Sequence, residues 1–102
     1  MRFLVKARIP VEAGNEMIRD GKIGDRIKSI LSDIKPEAVY FAVNEGQRTL
    51  YMVVDLKDSS WMPAVVEPLW LGLEADVEFI PAMNEKEFGK AAPHIERAAK
   101  KY

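Results

Sequence analysis

Residues 38–56, AVYFAVNEGQRTLYMVVDL, decide the fold. Ala38 to Val43 is rich in Val, Tyr and Phe, the side chains that fit a pleated, half-buried surface. Asn44-Glu45-Gly46 is turn chemistry, with Gly46 free to take a positive φ. A second run of the same character follows from Arg48 to Leu56. Two such runs this close together predict an antiparallel hairpin.

Upstream, residues 2 to 9 alternate strictly: Phe3, Val5, Ala7 and Ile9 on one face, Arg2, Leu4, Lys6 and Arg8 on the other. That is the period of a strand with one buried face, and Pro10 ends it. From Val11 to Ile34 the spacing turns helical, clearest in Ile23, Ile27, Ile30, Leu31 and Ile34. Gly14, Gly21 and Gly24 weaken the first half, so a break is expected near Gly21, with the firm helix from about Asp25 to Asp33. Pro36 excludes its continuation.

Downstream, Asp58-Ser59-Ser60 supplies helix-starting oxygens, and Trp61 to Leu73 carries Met62, Val65, Val66, Leu69 and Leu73 on one stripe. Pro68 is expected to kink this helix and Gly72 to end it. Residues 74 to 80 alternate again, with Ala75, Val77 and Phe79 opposed to Glu74, Asp76 and Glu78. Asn84 and Glu87 form a capping box opening a last helix, whose stripe is Phe88, Ala92, Ile95, Ala99 and Tyr102. Pro93 is expected to interrupt it.

The order βαββαβ plus a C-terminal helix is that of the split βαβ, or ferredoxin-like, α+β fold with an antiparallel sheet. That fold places the first and fourth strands side by side. The charge pattern agrees, because Lys6 and Arg8 then face Glu74, Asp76 and Glu78, and opposite charges on neighbouring strands attract. One sheet face (Phe3, Val5, Ala7, Val39, Phe41, Val77, Phe79) is uniformly apolar and must receive the helices. The other mixes Leu4, Lys6, Arg8, Tyr40, Ala42, Tyr51, Val53, Asp76, Glu78 and Ile80. Such a face is apolar for an ordinary wet surface and charged for a core; it either packs on a second copy, which is the expectation favoured here, or is a solvated face with scattered hydrophobes or a small-molecule platform. The helix Trp61 to Leu73 is apolar nearly all round, with Glu67 its one charge, and needs cover from the final helix or another subunit.

The 102 residues make one domain, residues 1–102, without internal linker or repeat. Fifteen basic against sixteen acidic residues leave a net charge of -1, which implies no polyanionic partner. With no cysteine, thiolate metal sites and disulfides are excluded, and a single histidine, His94, excludes a histidine-rich one. No metal and no cofactor are expected. No apolar run approaches the ~20 residues of a membrane span, and Met1 to Pro10 is unlike a signal peptide. A cytoplasmic protein is the expectation. RNA-recognition domains share the element order, but the outer face of strand one (Arg2, Leu4, Lys6, Arg8) has no aromatic, the aromatic-rich signature of strand three is missing, and the acidic fourth strand would repel phosphate, so no nucleic-acid partner is expected.

Element order, size and the half-apolar outer face resemble the dimeric α+β barrel superfamily. The segments Val11-Glu12-Ala13-Gly14-Asn15, Lys35-Pro36-Glu37-Ala38-Val39-Tyr40-Phe41, Glu67-Pro68-Leu69 and Ile80-Pro81-Ala82-Met83 are similar to an uncharacterised bacterial branch of it. The resemblance implies a homodimer with sheets face to face and a cleft in each subunit between sheet and helices. It carries no catalytic residue, because no motif of the characterised branches is present.

Four residues are candidates for binding a ligand. Glu67, a lone carboxylate on an apolar helix, is a polar anchor or acid/base in the cleft, a partner for Arg48 or a lysine, or a solvent-facing residue. Arg48 shares the parity of Leu50 and Met52 and can reach a ligand carboxylate from the cleft rim, or be solvated. Trp61 is a packing residue or an aromatic wall. His94 is the one side chain whose ordinary pKa falls near neutrality, and otherwise a surface residue. The expected function is a homodimeric module binding a small molecule or a partner. The alternative is a small cofactor-free isomerase or monooxygenase acting on an apolar or aromatic acid.

Overall fold

The computed structural model describes residues 1–102. In chain order it comprises β1 (Arg2–Ile9), α1 (Val11–Arg19), α2 (Ile23–Ile34), β2 (Ala38–Asn44), β3 (Gln47–Asp55), a 3-10 turn (Ser59–Trp61), α3 (Met62–Leu73), β4 (Asp76–Pro81) and α4 (Glu85–Lys101). The four strands form one sheet in the order β2-β3-β1-β4, every neighbouring pair antiparallel.

The hairpin closes through Glu45 and Gly46, with φ of 52° and 76°. Two successive positive φ values match the right-handed twist of the flanking strands, and Gly46 accepts its value without a Cβ penalty. The register sets Tyr40 opposite Tyr51 and Phe41 opposite Leu50. Gly21, at φ 70°, breaks the helical stretch where expected, giving two helices, α1 and α2. Lys35 ends α2 in the left-handed conformation, its N–H donating to the Leu31 carbonyl, just before Pro36 forbids further turns.

β1 and β4 are neighbours, with Lys6 opposite Glu78 and Arg8 opposite Asp76. The Arg8 guanidinium lies 2.6 Å from an Asp76 oxygen and also engages Glu45, with Glu78 at 3.8 Å. Its pKa is raised chiefly by the hydrogen bond to Asp76, against some desolvation.

The core lies between the helices and the face carrying Val5, Ala7, Ile9, Leu50, Met52 and Val54. Met17, Ile30, Val65, Leu69 and Leu73 meet it from α1, α2 and α3. Leu69 and Leu73 are fully buried, as one stripe of α3 requires.

Several expectations need correction. Gly72 lies inside α3, which runs unbroken through Pro68 to Leu73 and is ended by Glu74 at φ 53°. Gly72 serves α2 instead: a Cβ there would stand 2.9 Å from Ile30 Cδ1, so its absence permits close helix packing. Glu74 consequently caps α3 rather than joining the strand's charge ladder. Pro93 leaves α4 continuous. The final helix does not cover α3, whose Leu71 and Trp70 stay exposed. Phe41, expected on the covered sheet face, is exposed because α1, α2 and α3 stop short of edge strand β2.

Candidate functional site

Two apolar hollows open on the helix side of the sheet, at opposite ends of β3. The first sits where β3 leaves the sheet. Val54 and Leu56 form its floor, Ile34 comes from the end of α2, and Trp61, Ala64 and Val65 come from the entry to α3. Its volume is about 330 Å³, the size of a small-molecule site. Lys35, Lys57, Asp33 and Asp55 supply its polar groups.

Local sequence places Trp61 there. The Asp58 carboxylate accepts hydrogen bonds from the Ser60 hydroxyl and the Ser60 backbone N–H, fixing the 3-10 turn that ends at Trp61. These bonds, the hydroxyl's first, hold the Asp58 pKa below its ordinary value. The Lys57 ammonium lies 5.8 Å from the centroid of the Trp61 ring, within the range of a cation–π contact. Trp61 is 48% exposed, and an exposed indole ring can stack on a planar guest. An aromatic wall, an apolar floor and Lys57 over the indole suit a planar apolar guest; Lys35 and Lys57 can meet a guest carboxylate, Asp55 being engaged by the N-terminus and Arg2, while Asp33 opposes one.

The second hollow is a broader groove of about 550 Å³ between α2 and β2, walled by Ile9, Ile23, Ile27, Phe41, Val43 and Leu50. Arg48 lies at its edge. It is half-buried, and its Nη2 donates to Asn15 Oδ1 at 3.0 Å. The side chain passes beneath α1 at Gly14, where a Cβ would come within 2.7 Å of Arg48 Nη1.

The four candidates are therefore dispersed. Trp61 lines the smaller cleft and Arg48 the groove, at opposite ends of β3. Glu67 is exposed on α3, lines neither hollow and makes no ion pair with Arg48 or a lysine. His94 is exposed on α4, its Nδ1 2.6 Å from Arg97 Nη2. Sequence reasoning passed over Lys57 and Lys35 beside Trp61 and Asn15 beside Arg48. Lys57 had a legible signal, four residues before an indole across a helix-starting turn. Asn15 and Lys35 had none, because their proximity is set by how α1 and α2 lie on the sheet.

No three His, Asp or Glu side chains gather as a metal-binding group, and no helix is long and apolar enough to cross a membrane. Compared with protein-family models and with curated proteins, the sequence matches none.

Proposed function

We propose that this chain is a homodimeric binding module of ferredoxin-like topology, pairing by its outer sheet face in the manner of a dimeric α+β barrel and holding a small apolar acid in the Trp61 cleft. The observation that carries the reading is the outer face itself. The helices that build the core lie on the opposite side, leaving Tyr40 71% and Ile80 42% exposed on this face, with Leu4, Tyr51 and Val53 half-buried beside them. With them lie Arg8 with Asp76 and Glu78, and Arg2 with Glu37. The apolar side chains gather toward one end of the face, where Leu4 pairs Val53 and Ile80, and Lys6, Arg8, Asp76 and Glu78 occupy the β1–β4 side; apolar and ionic groups side by side are the composition of a non-obligate protein interface. The strand order β2-β3-β1-β4 and the split helix between β1 and β2 support the topology.

Catalysis is the weaker reading. Glu67 and His94, the acid/base candidates of a cofactor-free isomerase or monooxygenase, stand outside the cleft.

Sedimentation at micromolar concentration is expected to give twice the chain mass. Tyr40→Glu with Val53→Glu is expected to give one chain mass with unchanged circular dichroism, because a carboxylate cannot be desolvated there without a partner. A wild-type monomer at high concentration overturns the reading.

A further inference from the structure

We infer that α4 docks on a second copy of this chain, laying the stripe Phe88, Ile95 and Tyr102 into the groove between α2 and β2 of that copy. The helix is 17 residues long and none of them is buried, nor does any other element pack along it. Phe88 is 57% exposed, Ile95 53% and Tyr102 95%. The radius of gyration, 16.7 Å, exceeds the ~13 Å of a compact chain this size, and the long dimension reaches 58 Å. A lone helix of this length is marginal in water, and an interior proline costs it about 3 kcal/mol more. Its stability must come from a surface it covers.

Its own body does not supply that surface. The first turn of α4 is pinned at the start of β1: Asn84 and Glu87 form the capping box, and Arg2 grips Glu87. The groove lies at the far end of β1, at Ile9, about 23 Å from Arg2. α4 spans about 25 Å but does not turn back over the sheet.

A second copy supplies what is missing in both directions. Each chain has one helix without a sheet, and one sheet margin without a helix, where Phe41 is 62% and Val43 79% exposed. A two-fold axis would satisfy both at once. The positions 88, 92, 95, 99 and 102 are Phe, Ala, Ile, Ala and Tyr, so no charge enters the apolar groove. Aromatic side chains carry ~150–250 Å² each, and with Phe88, Phe41 and Tyr102 exposed by 57%, 62% and 95% the three would supply roughly half of the ~800 Å² per partner that a stable dimer needs. The inference shares with the proposed sheet pairing only its need for a second copy, and uses different residues.

The chain has no cysteine, so single thiols report cleanly. Ile95→Cys chains are mixed with Val43→Cys chains and oxidised, each alone serving as control. The expected result is a mixed disulfide of two chain masses, far exceeding self-linked product. Phe88→Glu is expected to speed amide exchange along α4 by about tenfold or more while the sheet's exchange is unchanged. A chain carrying both thiols that closes on itself when dilute shows α4 folding back, and predominant Ile95→Cys self-linkage shows helix pairing with helix; either overturns the inference. If no link forms while sedimentation still gives twice the chain mass, the inference fails and sheet pairing survives. If no link forms and the mass is single, both fail.

Discussion

Arg2 in β1 and Glu87 in the first turn of α4, 85 positions apart in the chain, form an ion pair that sets where the last helix leaves the sheet. Glu37 takes the other side of the same guanidinium, with Nε–Oε1 at 2.8 Å. Arg2 thus joins the entry to β2 with the entry to α4, and its own pKa is raised chiefly by the Glu37 hydrogen bond.

The Glu87 carboxyl is held below its ordinary value, first by the Asn84 backbone N–H and then by Arg2. A depressed folded pKa means that its stabilisation is complete above the ordinary glutamate range, ~4.3, and disappears as pH falls through the folded value. The first turn of α4 is therefore expected to open in acid. A carboxyl-carbon NMR titration checks this: the Glu87 midpoint should lie below the ordinary value. Arg2→Ala should raise it only part of the way, since the Asn84 N–H remains.

Leu69 and Leu71 lie two residues apart on α3, one fully buried and the other 79% exposed. Leu69→Ala is expected to cost 2–5 kcal/mol, the transfer loss plus a cavity beneath α3. Leu71→Ala should stay within about 0.5 kcal/mol. Urea unfolding of both variants decides it, and equal costs would contradict the packing described.

Gly46 and Gly24 make a second contrast. Gly46→Ala forces a Cβ into φ 76° and is expected to destabilise by about 1–2 kcal/mol, although nothing lies near enough to clash. Gly24 sits in α2 with open space around it and no positive φ. Gly24→Ala is expected to stabilise by about 0.5–1 kcal/mol, because alanine loses less backbone freedom in a helix. Thermal unfolding should move the two variants in opposite directions.

Trp70→Phe leaves Trp61 as the single indole. Titrating that variant with naphthalene-2-carboxylate should change its fluorescence saturably, as the ring stacks in the cleft. Lys57→Ala should weaken the apparent affinity by about fivefold, the worth of one partly exposed cationic contact. An unresponsive signal up to millimolar probe would rule out the cleft as a site for apolar acids.

The hairpin at residues 38–56 was legible from a short-range rule, and the neighbouring of β1 and β4 from complementary charge alternation in two strands far apart in the chain. A turn demanding positive φ follows from Glu45-Gly46, and charge alternation from Arg8 and Asp76. The site was legible only in part. Trp61 was found by type, and its turn by Asp58 and Ser60. The several readings of Glu67 could not be separated along the chain, because apolar neighbours along a helix do not imply apolar neighbours across it. Periodicity places Glu67 off the buried stripe of Val65, Leu69 and Leu73, and the structure leaves that side in the open.

Local patterning along the chain was enough to specify four strands, their alternating faces, the break at Gly21 and the cap at Asn84, since each depends on residues within one or two turns of one another. The tertiary arrangement alone decided that Phe41 lies uncovered, that Lys57 and Lys35 converge at Trp61, and that α4 leaves its own body. These are questions of how far a helix reaches over a sheet and where rigid elements end. They are settled by packing volumes such as the missing Cβ of Gly72 against Ile30, and by the Arg2–Glu87 tether across the length of the chain.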